Sequence, residues 1–138
     1  VSADADVLEN VDGLATVLAP GAIVIDHSTV SVETAREVAK RLAARGIGFL
    51  DAPVSGGVEG AKNGRLSIMV GGDEATLDRA RPLLEAYAAR IALMGPTGAG
   101  QATKAVNQIL VAGINEAVCE SLAFAENWAS TPSACCPP

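Results

Sequence analysis

Residues 20–51 read PGAIVIDHSTVSVETAREVAKRLAARGIGFLD, and this stretch decides the fold class. The segment Gly21–Asp26 is apolar up to its last residue, which predicts a strand buried on both faces, as in a parallel sheet. From Glu33 to Arg45 the apolar residues recur at helical spacing, and Ser31 is placed to cap the start of that helix. Ile47–Leu50 is a second short strand. A strand, a helix and a strand in this order indicate an α/β protein.

The rest of the chain continues the alternation of strands and helices. Residues 51–64 are rich in Gly and are predicted to form a loop. Asp73 is a predicted N-cap, and Pro82 predicts a kink or a late start in the helix that follows it. The sequence therefore predicts a parallel sheet with helices on both faces, and ligands bind such sheets at the carboxyl ends of the strands. The further predicted elements are strands at Leu66–Val70 and Ile91–Met94 and helices at Glu74–Ala89 and Gln101–Trp128.

The composition excludes several classes of protein. The chain has 138 residues, of which 49% are apolar, and this is enough for one domain with its own core. The formal net charge of −6 argues against binding to nucleic acids or anionic membranes, which requires a basic face. No uninterrupted apolar run approaches the roughly 20 residues of a membrane span, and no signal peptide is recognisable. The three cysteines and one histidine match neither a disulfide framework nor a metal motif, which is typical of a reduced, cytoplasmic chain.

Two segments carry residue types suited to anion binding and proton transfer. Ser55-Gly56-Gly57 offers a hydroxyl and backbone N–H groups that a carboxylate or phosphate can approach closely, although a plain glycine-rich turn has the same sequence. Lys104 lies in the first turns of the long helix, with Asn107 and Gln108 three and four residues later on the same face. A lysine with an amide neighbour can hold and protonate a carbonyl oxygen or take a proton from a hydroxyl. The alternative is a solvated lysine on a helix surface.

The residues after the first predicted strand form a third candidate segment. Ser28 and Thr29 follow Asp26 directly, where a cofactor ring could lie, and they could equally cap the next helix. His27 is a possible acid or base, but the sequence offers it no partner, so an exposed or packed histidine is favoured.

Taken together, these segments resemble the β-hydroxyacid dehydrogenases. This is the family of 3-hydroxyisobutyrate dehydrogenase and tartronate semialdehyde reductase, and it is related to 6-phosphogluconate dehydrogenase. The resemblance runs from about Val7 to Trp128, with the motifs in the order and spacing of the family. The motifs are Asp26-x-Ser28-Thr29, Asp51-Ala-Pro-Val-Ser-Gly-Gly57, Gly64-x-Leu66, Met69-Val-Gly-Gly72 and Gly98-x-Gly100-x-x-x-Lys104-x-x-Asn107.

The resemblance implies an oxidoreductase that transfers a hydride between NAD or NADP and a small 3-hydroxy acid or its semialdehyde. The lysine matching Lys104 is the general acid/base, the segment matching Ser55-Gly56-Gly57 holds the substrate carboxylate, and Ser28 and Thr29 lie near the nicotinamide. An amide of the Asn107-Gln108 pair helps to place the substrate. Many members have Asn at both positions, so Gln108 leaves open which amide is used. Such enzymes are cytoplasmic homo-oligomers.

The resemblance also predicts the domain organisation. We expect a Rossmann-like domain over residues 1–97 that contains the second half of the parallel sheet, and a long interdomain helix over residues 98–128. The Gly-x-Gly-x-x-Gly fingerprint of the family does not occur in the chain, and we expect it upstream of Val1. An all-helical domain is expected to follow the long helix. The isolated chain is therefore expected to bind NAD(H) weakly or not at all and to be inactive, and a non-catalytic self-association module is the alternative.

Residues 129–138 read ASTPSACCPP and depart from the family. When these residues are written in GC-rich codons and one G is restored after the Trp128 codon, the same bases encode Trp-Gly-Leu-Asp-Pro-Glu-Arg-Val-Leu-Pro, which is the continuation typical of the family. Our hypothesis is that these ten residues are an out-of-frame tail without function. The sequence fixes neither the identity of the hydroxy acid nor the choice between NAD and NADP.

Overall fold

The computed structural model describes residues 3–128, and the proposed out-of-frame tail lies outside this range. The chain divides into two units, one that ends at Lys104 and one that begins at Ala105. The first unit contains a five-stranded sheet with its helices, and the long last helix continues into the second unit. The elements are α1 (Asp4–Val17), β1 (Ile23–Asp26), α2 (Val32–Ala43), β2 (Gly48–Asp51), β3 (Val54–Ser55), α3 (Gly57–Lys62), β4 (Leu66–Gly72), α4 (Glu74–Leu84), β5 (Ala88–Gly95) and α5 (Ala99–Asn127).

The predicted strand–helix–strand unit is confirmed. β1 and β2 pair in parallel, with Ile23 opposite Gly48. The Ser31 hydroxyl oxygen accepts the Thr34 N–H at 3.1 Å and so caps α2, as the sequence predicts. The apolar face of α2 packs in one cluster with α1, a helix that the sequence pattern did not predict. The buried members of the cluster are Val7, Val11, Ala15, Ala35, Val38, Leu42, Ile47 and Phe49.

The α/β class is confirmed, but the sheet is mixed where the sequence analysis predicts a parallel one. β2 and β3 both pair antiparallel with β4, and β4 pairs in parallel with β5. The cause is the connection between β3 and β4, which consists of the short helix α3 and a tight turn instead of a crossover helix. A chain that turns back in so few residues can pair only in the antiparallel direction.

The segment after Asp51 is the second difference from the sequence prediction. Residues 51–64 are not a loop, because β2 runs on through Ala52 and Pro53 into β3 along the same edge of β4. The pairing keeps one register from Leu50 opposite Gly72 to Ser55 opposite Ser67. The Pro53 carbonyl contributes by accepting the Met69 N–H at 3.0 Å. The chain therefore reaches Ser55 as an extended strand held by β4.

The fourth helix begins where the sequence predicts and ends earlier. The Asp73 carboxylate accepts the Thr76 N–H at 3.0 Å, which confirms the predicted cap and excludes a late start. The helix ends two residues after Pro82, at Leu84, so the residues from Ala88 onward are free to form β5. The shorter helix follows from the missing N–H of Pro82, which weakens the ladder at this end.

The Asp51 carboxylate anchors the start of α5. Asp51 is fully buried, at 0% exposure, and lies in one row across the sheet with Asp26, Gly71 and Gly95. Its Oδ1 accepts the Gly98 N–H at 2.7 Å and its Oδ2 accepts the Gln101 N–H at 3.0 Å. Burial raises the pKa of the Asp51 carboxyl, while the bonds from these backbone N–H groups act in the opposite direction. A carboxylate at this position also faces the positive end of the helix dipole.

Close packing at the anchor explains why the motif contains Gly100. A Cβ added at Gly100 would lie 2.5 Å from the Met69 carbonyl oxygen and 2.6 Å from that of Asp51. Both of these atoms belong to the backbone of the sheet and cannot move aside. The helix can therefore approach the carboxylate only if this residue has no side chain.

The part of α5 in the second unit exposes apolar side chains around its circumference. An 18-residue window of α5 has a mean hydropathy of 1.2, so the helix is long and apolar enough to cross a membrane by length and composition alone, a test that core helices of soluble proteins also pass. Asn107, Glu116 and Glu120 interrupt its apolar sequence. The exposed apolar residues of this part are Val106, Ile109, Leu110, Val111, Ile114, Val118 and Phe124, and the exposed Trp128 follows the helix.

Alanine substitution at two glycines of α5 is expected to have opposite effects. Gly100→Ala places a methyl group against the sheet backbone and is expected to lower the free energy of unfolding by about 2 kcal/mol. Gly113→Ala is the matched control, because a Cβ there meets no atom within 4 Å and alanine favours the helix by roughly 1 kcal/mol. Urea unfolding followed by circular dichroism measures both. Equal stability of the two variants would contradict the packing at Gly100.

The Asp51 anchor is tested by Asp51→Asn. The introduced amide keeps one acceptor oxygen but directs its NH₂ at a backbone N–H, so one buried donor loses its partner and the free energy of unfolding falls by about 2 kcal/mol. Asp73→Asn is the control, since asparagine caps a helix as well as aspartate and the change is expected to stay below about 0.5 kcal/mol. Thermal unfolding of both variants measures the two changes in stability. An Asp51→Asn variant as stable as the control would show that the carboxylate is not an anchor.

Candidate functional site

The loop after β1 is held on both sides. On one side, Asp26 Oδ1 accepts the Ser28 N–H at 2.9 Å. On the other, the Gln101 side chain donates from Nε2 to the Ser28 carbonyl at 2.8 Å and accepts the Val30 N–H on Oε1 at 3.1 Å. Thr29, between these fixed points, is exposed. The backbone thus presents Thr29 to solvent at the carboxyl end of β1, where the sequence predicts a cofactor.

Gln101 is a buried residue of the candidate site that the sequence analysis missed. It is 2% exposed, although it lies in the first turn of a helix whose later turns are largely exposed. A glutamine at this point in a sequence looks like any polar residue on a helix surface. The signal that could have found it is its place directly after Gly100, where the helix must approach the sheet.

His27 is packed, as the sequence analysis favours. Its Nδ1 lies 2.6 Å from the Ala52 carbonyl oxygen, which only accepts, so Nδ1 carries the proton. Its Nε2 is then free to accept from the Tyr87 hydroxyl at 2.8 Å. Burial raises the pKa of Tyr87, which keeps that hydroxyl protonated as a donor. Both ring nitrogens are therefore engaged in joining β1 and β2 to the residues before β5.

The predicted anion-binding segment lies at the turn from β3 into α3. Ser55 is half-buried, and Gly56 and Gly57 are exposed. Gly56 has φ +125° and Gly57 has φ +58°, conformations that favour glycine, and Gly60 N–H donates to the Gly56 carbonyl at 2.9 Å. The segment is a glycine turn with accessible backbone. Its role in binding a carboxylate stays a prediction.

The predicted catalytic residue Lys104 is half-buried at the end of the first unit. Within residues 3–128 its side chain makes no hydrogen bond or salt bridge. Asn107 and Gln108 belong to the second unit, where Asn107 Nδ2 donates to Gln108 Oε1 at 3.2 Å. This bond shows that the two amides are neighbours. Which of them would contact a substrate stays open.

Within the first unit, the structure brings two of the predicted segments together through α5. Gln101 bonds the loop that contains Ser28 and Thr29, and Lys104 follows Gln101 by three residues. The Ser55-Gly56-Gly57 turn is connected along the chain to Asp51, whose carboxylate accepts the Gln101 N–H. The arrangement suits a reaction in which one side chain moves a proton beside a bound ring. The described residues contain no cluster of three or more side chains that could hold a metal ion.

Comparison with known proteins gives the family. Residues 1–95 match the NAD binding domain of 6-phosphogluconate dehydrogenase. The chain is 42% identical over 127 residues to the 2-hydroxy-3-oxopropionate reductase of Escherichia coli, covering 92% of this chain and 44% of that protein. It is 50% identical over 107 residues to a probable 3-hydroxyisobutyrate dehydrogenase of Mycobacterium tuberculosis, covering 78% of this chain and 36% of that protein. The chain thus spans less than half the length of these curated relatives.

A solved structure extends the similarity to three dimensions. The 3-hydroxyisobutyrate dehydrogenase of Mycobacterium tuberculosis with L-serine superposes with a TM-score of 0.92 at 41% identity. The superposition covers 96% of this chain and 46% of that one. The fold described above is therefore that of a dehydrogenase with a Rossmann-like domain, and the resemblance stated from the motifs is confirmed.

The residues present fit one end of a dinucleotide. The exposed Thr29 and the fixed Ser28 backbone stand at the carboxyl end of β1, beside a buried Asp26 Oδ2 that has no hydrogen-bond partner within residues 3–128. The glycine fingerprint for the pyrophosphate is missing from the 138 residues. From the match over residues 1–95, the motifs and the fold, the chain belongs to the 6-phosphogluconate dehydrogenase superfamily and carries part of its NAD-binding domain.

Proposed function

We propose that this chain forms the catalytic centre of an oxidoreductase that transfers a hydride between NAD or NADP and a small 3-hydroxy acid or its semialdehyde. One observation carries the proposal: the start of α5, which bears Lys104, is bonded directly to the loop that bears Ser28 and Thr29. Hydride transfer needs the reacting carbon against the nicotinamide and a proton acceptor at its oxygen. The loop provides Ser28 and Thr29 to hold the nicotinamide, and α5 provides Lys104 as the proton acceptor.

Each residue has a defined part in this proposal. NAD or NADP, when bound, supplies the hydride acceptor or donor, and Ser28 and Thr29 would hold its nicotinamide end. In the oxidative direction the Lys104 amine takes the proton from the substrate hydroxyl, and in the reductive direction its ammonium group returns it. The Ser55-Gly56-Gly57 turn binds the substrate carboxylate with its hydroxyl and backbone N–H groups. Asn107 or Gln108 orients the substrate.

The chemistry of the relatives supports the substrate class. 3-Hydroxyisobutyrate and 2-hydroxy-3-oxopropionate, which appear in the names of the relatives, and L-serine, which accompanies the solved structure, share a carboxylate and an oxygen on the third carbon. They differ in the group on the second carbon, which is a methyl, an ammonium or a hydroxyl group. The Ser55-Gly56-Gly57 turn would bind the shared carboxylate and Lys104 the shared oxygen. Neither contacts the variable group on the second carbon in this proposal. The proposal therefore stops at the class of small 3-hydroxy acids.

A self-association module is the second candidate function. The exposed apolar side chains of α5 in the second unit, such as Ile109 and Phe124, favour it. Association through this helix needs no lysine chemistry. We also propose a cytoplasmic location and a homo-oligomeric state for the whole enzyme.

Lys104→Ala distinguishes the two candidates. We suggest a chimera in which the chain replaces the 127-residue aligned stretch of the Escherichia coli 2-hydroxy-3-oxopropionate reductase. Lys104→Ala is expected to lower kcat of the chimera about 10³-fold, because the proton loses its acceptor. Lys40→Ala, at an exposed lysine of α2, is the control and is expected to leave kcat unchanged. Steady-state kinetics with NAD and NADP measure the effect.

The outcome of this experiment also bears on the isolated chain. The 138-residue chain is expected to show no turnover in the same assay, because it lacks the pyrophosphate-binding glycines. If Lys104→Ala kept full activity in the chimera, the assigned acid/base would be wrong. If it changed neither the activity of the chimera nor the sedimentation of the self-associated chain, self-association would be favoured.

A further inference from the structure

We propose that Gln101 is the positioning residue that keeps Lys104 in register with the cofactor loop. The inference rests on the proposed function and adds a residue to it. Gln101 itself does not touch the reacting atoms in this account. It acts through the two segments that do, the loop at Ser28–Val30 and the turn of α5 that ends at Lys104.

The contacts of Gln101 reach two separate parts of the chain, the end of β2 and the loop at Ser28–Val30. Its backbone N–H donates to the Asp51 carboxylate at 3.0 Å. Its side-chain amide donates to the Ser28 carbonyl at 2.8 Å and accepts the Val30 N–H at 3.1 Å. The residue is 2% exposed, so water does not compete for these bonds. The Gln101 side chain thereby ties the cofactor loop to the helix, and its backbone N–H ties the helix to the sheet.

The two partners in the loop require a neutral amide. The Ser28 carbonyl can only accept and the Val30 N–H can only donate, so the group between them must offer a donor and an acceptor at once. A carboxylate would repel the carbonyl, and an apolar side chain would leave both groups unsatisfied. Glutamine also has the length to reach the loop from the helix. The hydrogen-bonding groups of the loop backbone therefore select glutamine at this position, and the volume of the side chain alone does not.

The position of Gln101 gives the contact a functional consequence. Lys104 follows one turn later on the same helix, within the same unit of the structure. Any shift of Thr29 relative to α5 changes the distance between the cofactor end and the amine that moves the proton. Misplacement by about 1 Å can cost roughly 10² in rate. Gln101 limits this shift without contacting the substrate.

The coupling is tested first in the 138-residue chain by amide hydrogen exchange at Val30. In Gln101→Met, which keeps the size but removes both bonds, the protection factor of Val30 is expected to fall at least about 10-fold. Asn115→Met, at an exposed amide of the same helix, is the control and is expected to leave Val30 unchanged. Unchanged protection in a folded Gln101→Met variant would overturn the proposal.

Gln101→Glu provides a second variant with a pH signature. When the introduced carboxyl group is protonated it can donate to the Ser28 carbonyl and accept from Val30, as the amide does. Protection of Val30 is expected within about threefold of the native value at low pH and is lost as the carboxyl ionises. The Asp51 carboxylate, which contacts the backbone of the same residue, adds to the repulsion in the ionised form. A pH-independent protection factor would contradict a bond of this kind.

The consequence for catalysis is measured in the chimera. Gln101→Met is expected to lower kcat about 10- to 100-fold and to leave KM for the hydroxy acid within about threefold, since the substrate anchor is intact. Native kcat in a variant with lost Val30 protection would overturn the positioning role. A chimera without activity even with Gln101 present would count against the proposed function alone, because the exchange data still decide the coupling.

Discussion

The buried Asp51 carboxylate is the constraint on which the rest of the first unit depends. A charge with no exposure is costly, and here it is compensated by the N–H groups of Gly98 and Gln101 at the start of α5. The bonds form only if the helix comes close to the sheet, and that approach requires the absence of a side chain at Gly100. The glycine-rich entry to the helix and the aspartate at the end of β2 are thus two parts of one interaction.

The three candidate segments are organised around this interaction. The strand from Asp51 continues along β4 to the turn at Ser55-Gly56-Gly57. The helix that the carboxylate anchors carries Gln101 and then Lys104, and Gln101 reaches across to the loop at Ser28 and Thr29. Residues more than seventy positions apart in sequence are held by a handful of buried bonds. The candidate site is thus proposed at two neighbouring strand ends, the turn after β3 and the start of one helix.

Local signals in the sequence predicted the elements whose cause is local. The strand–helix–strand unit and the caps at Ser31 and Asp73 follow from apolar spacing and side-chain chemistry, whereas the partners of His27 are distant in sequence. The direction of β4 could not be predicted in this way, because it depends on how the short connection through α3 folds back. The sequence analysis missed Gln101 for a related reason, because its hydrogen-bond partners Ser28 and Val30 are distant in sequence. The roles of Lys104 and of the Ser55 turn rest on the family resemblance, because proton transfer and anion binding leave no periodicity to detect.

Amide hydrogen exchange at the start of α5 in the unaltered chain tests the central claim most directly. If the Asp51 carboxylate holds the helix to the sheet, the N–H groups of Gly98 and Gln101 open only when the core opens. They are then predicted to exchange as slowly as the amide of Val70 in the middle of β4. Exchange about 100-fold faster than at Val70 would show that the helix start opens by itself, and the account of the anchor would be contradicted.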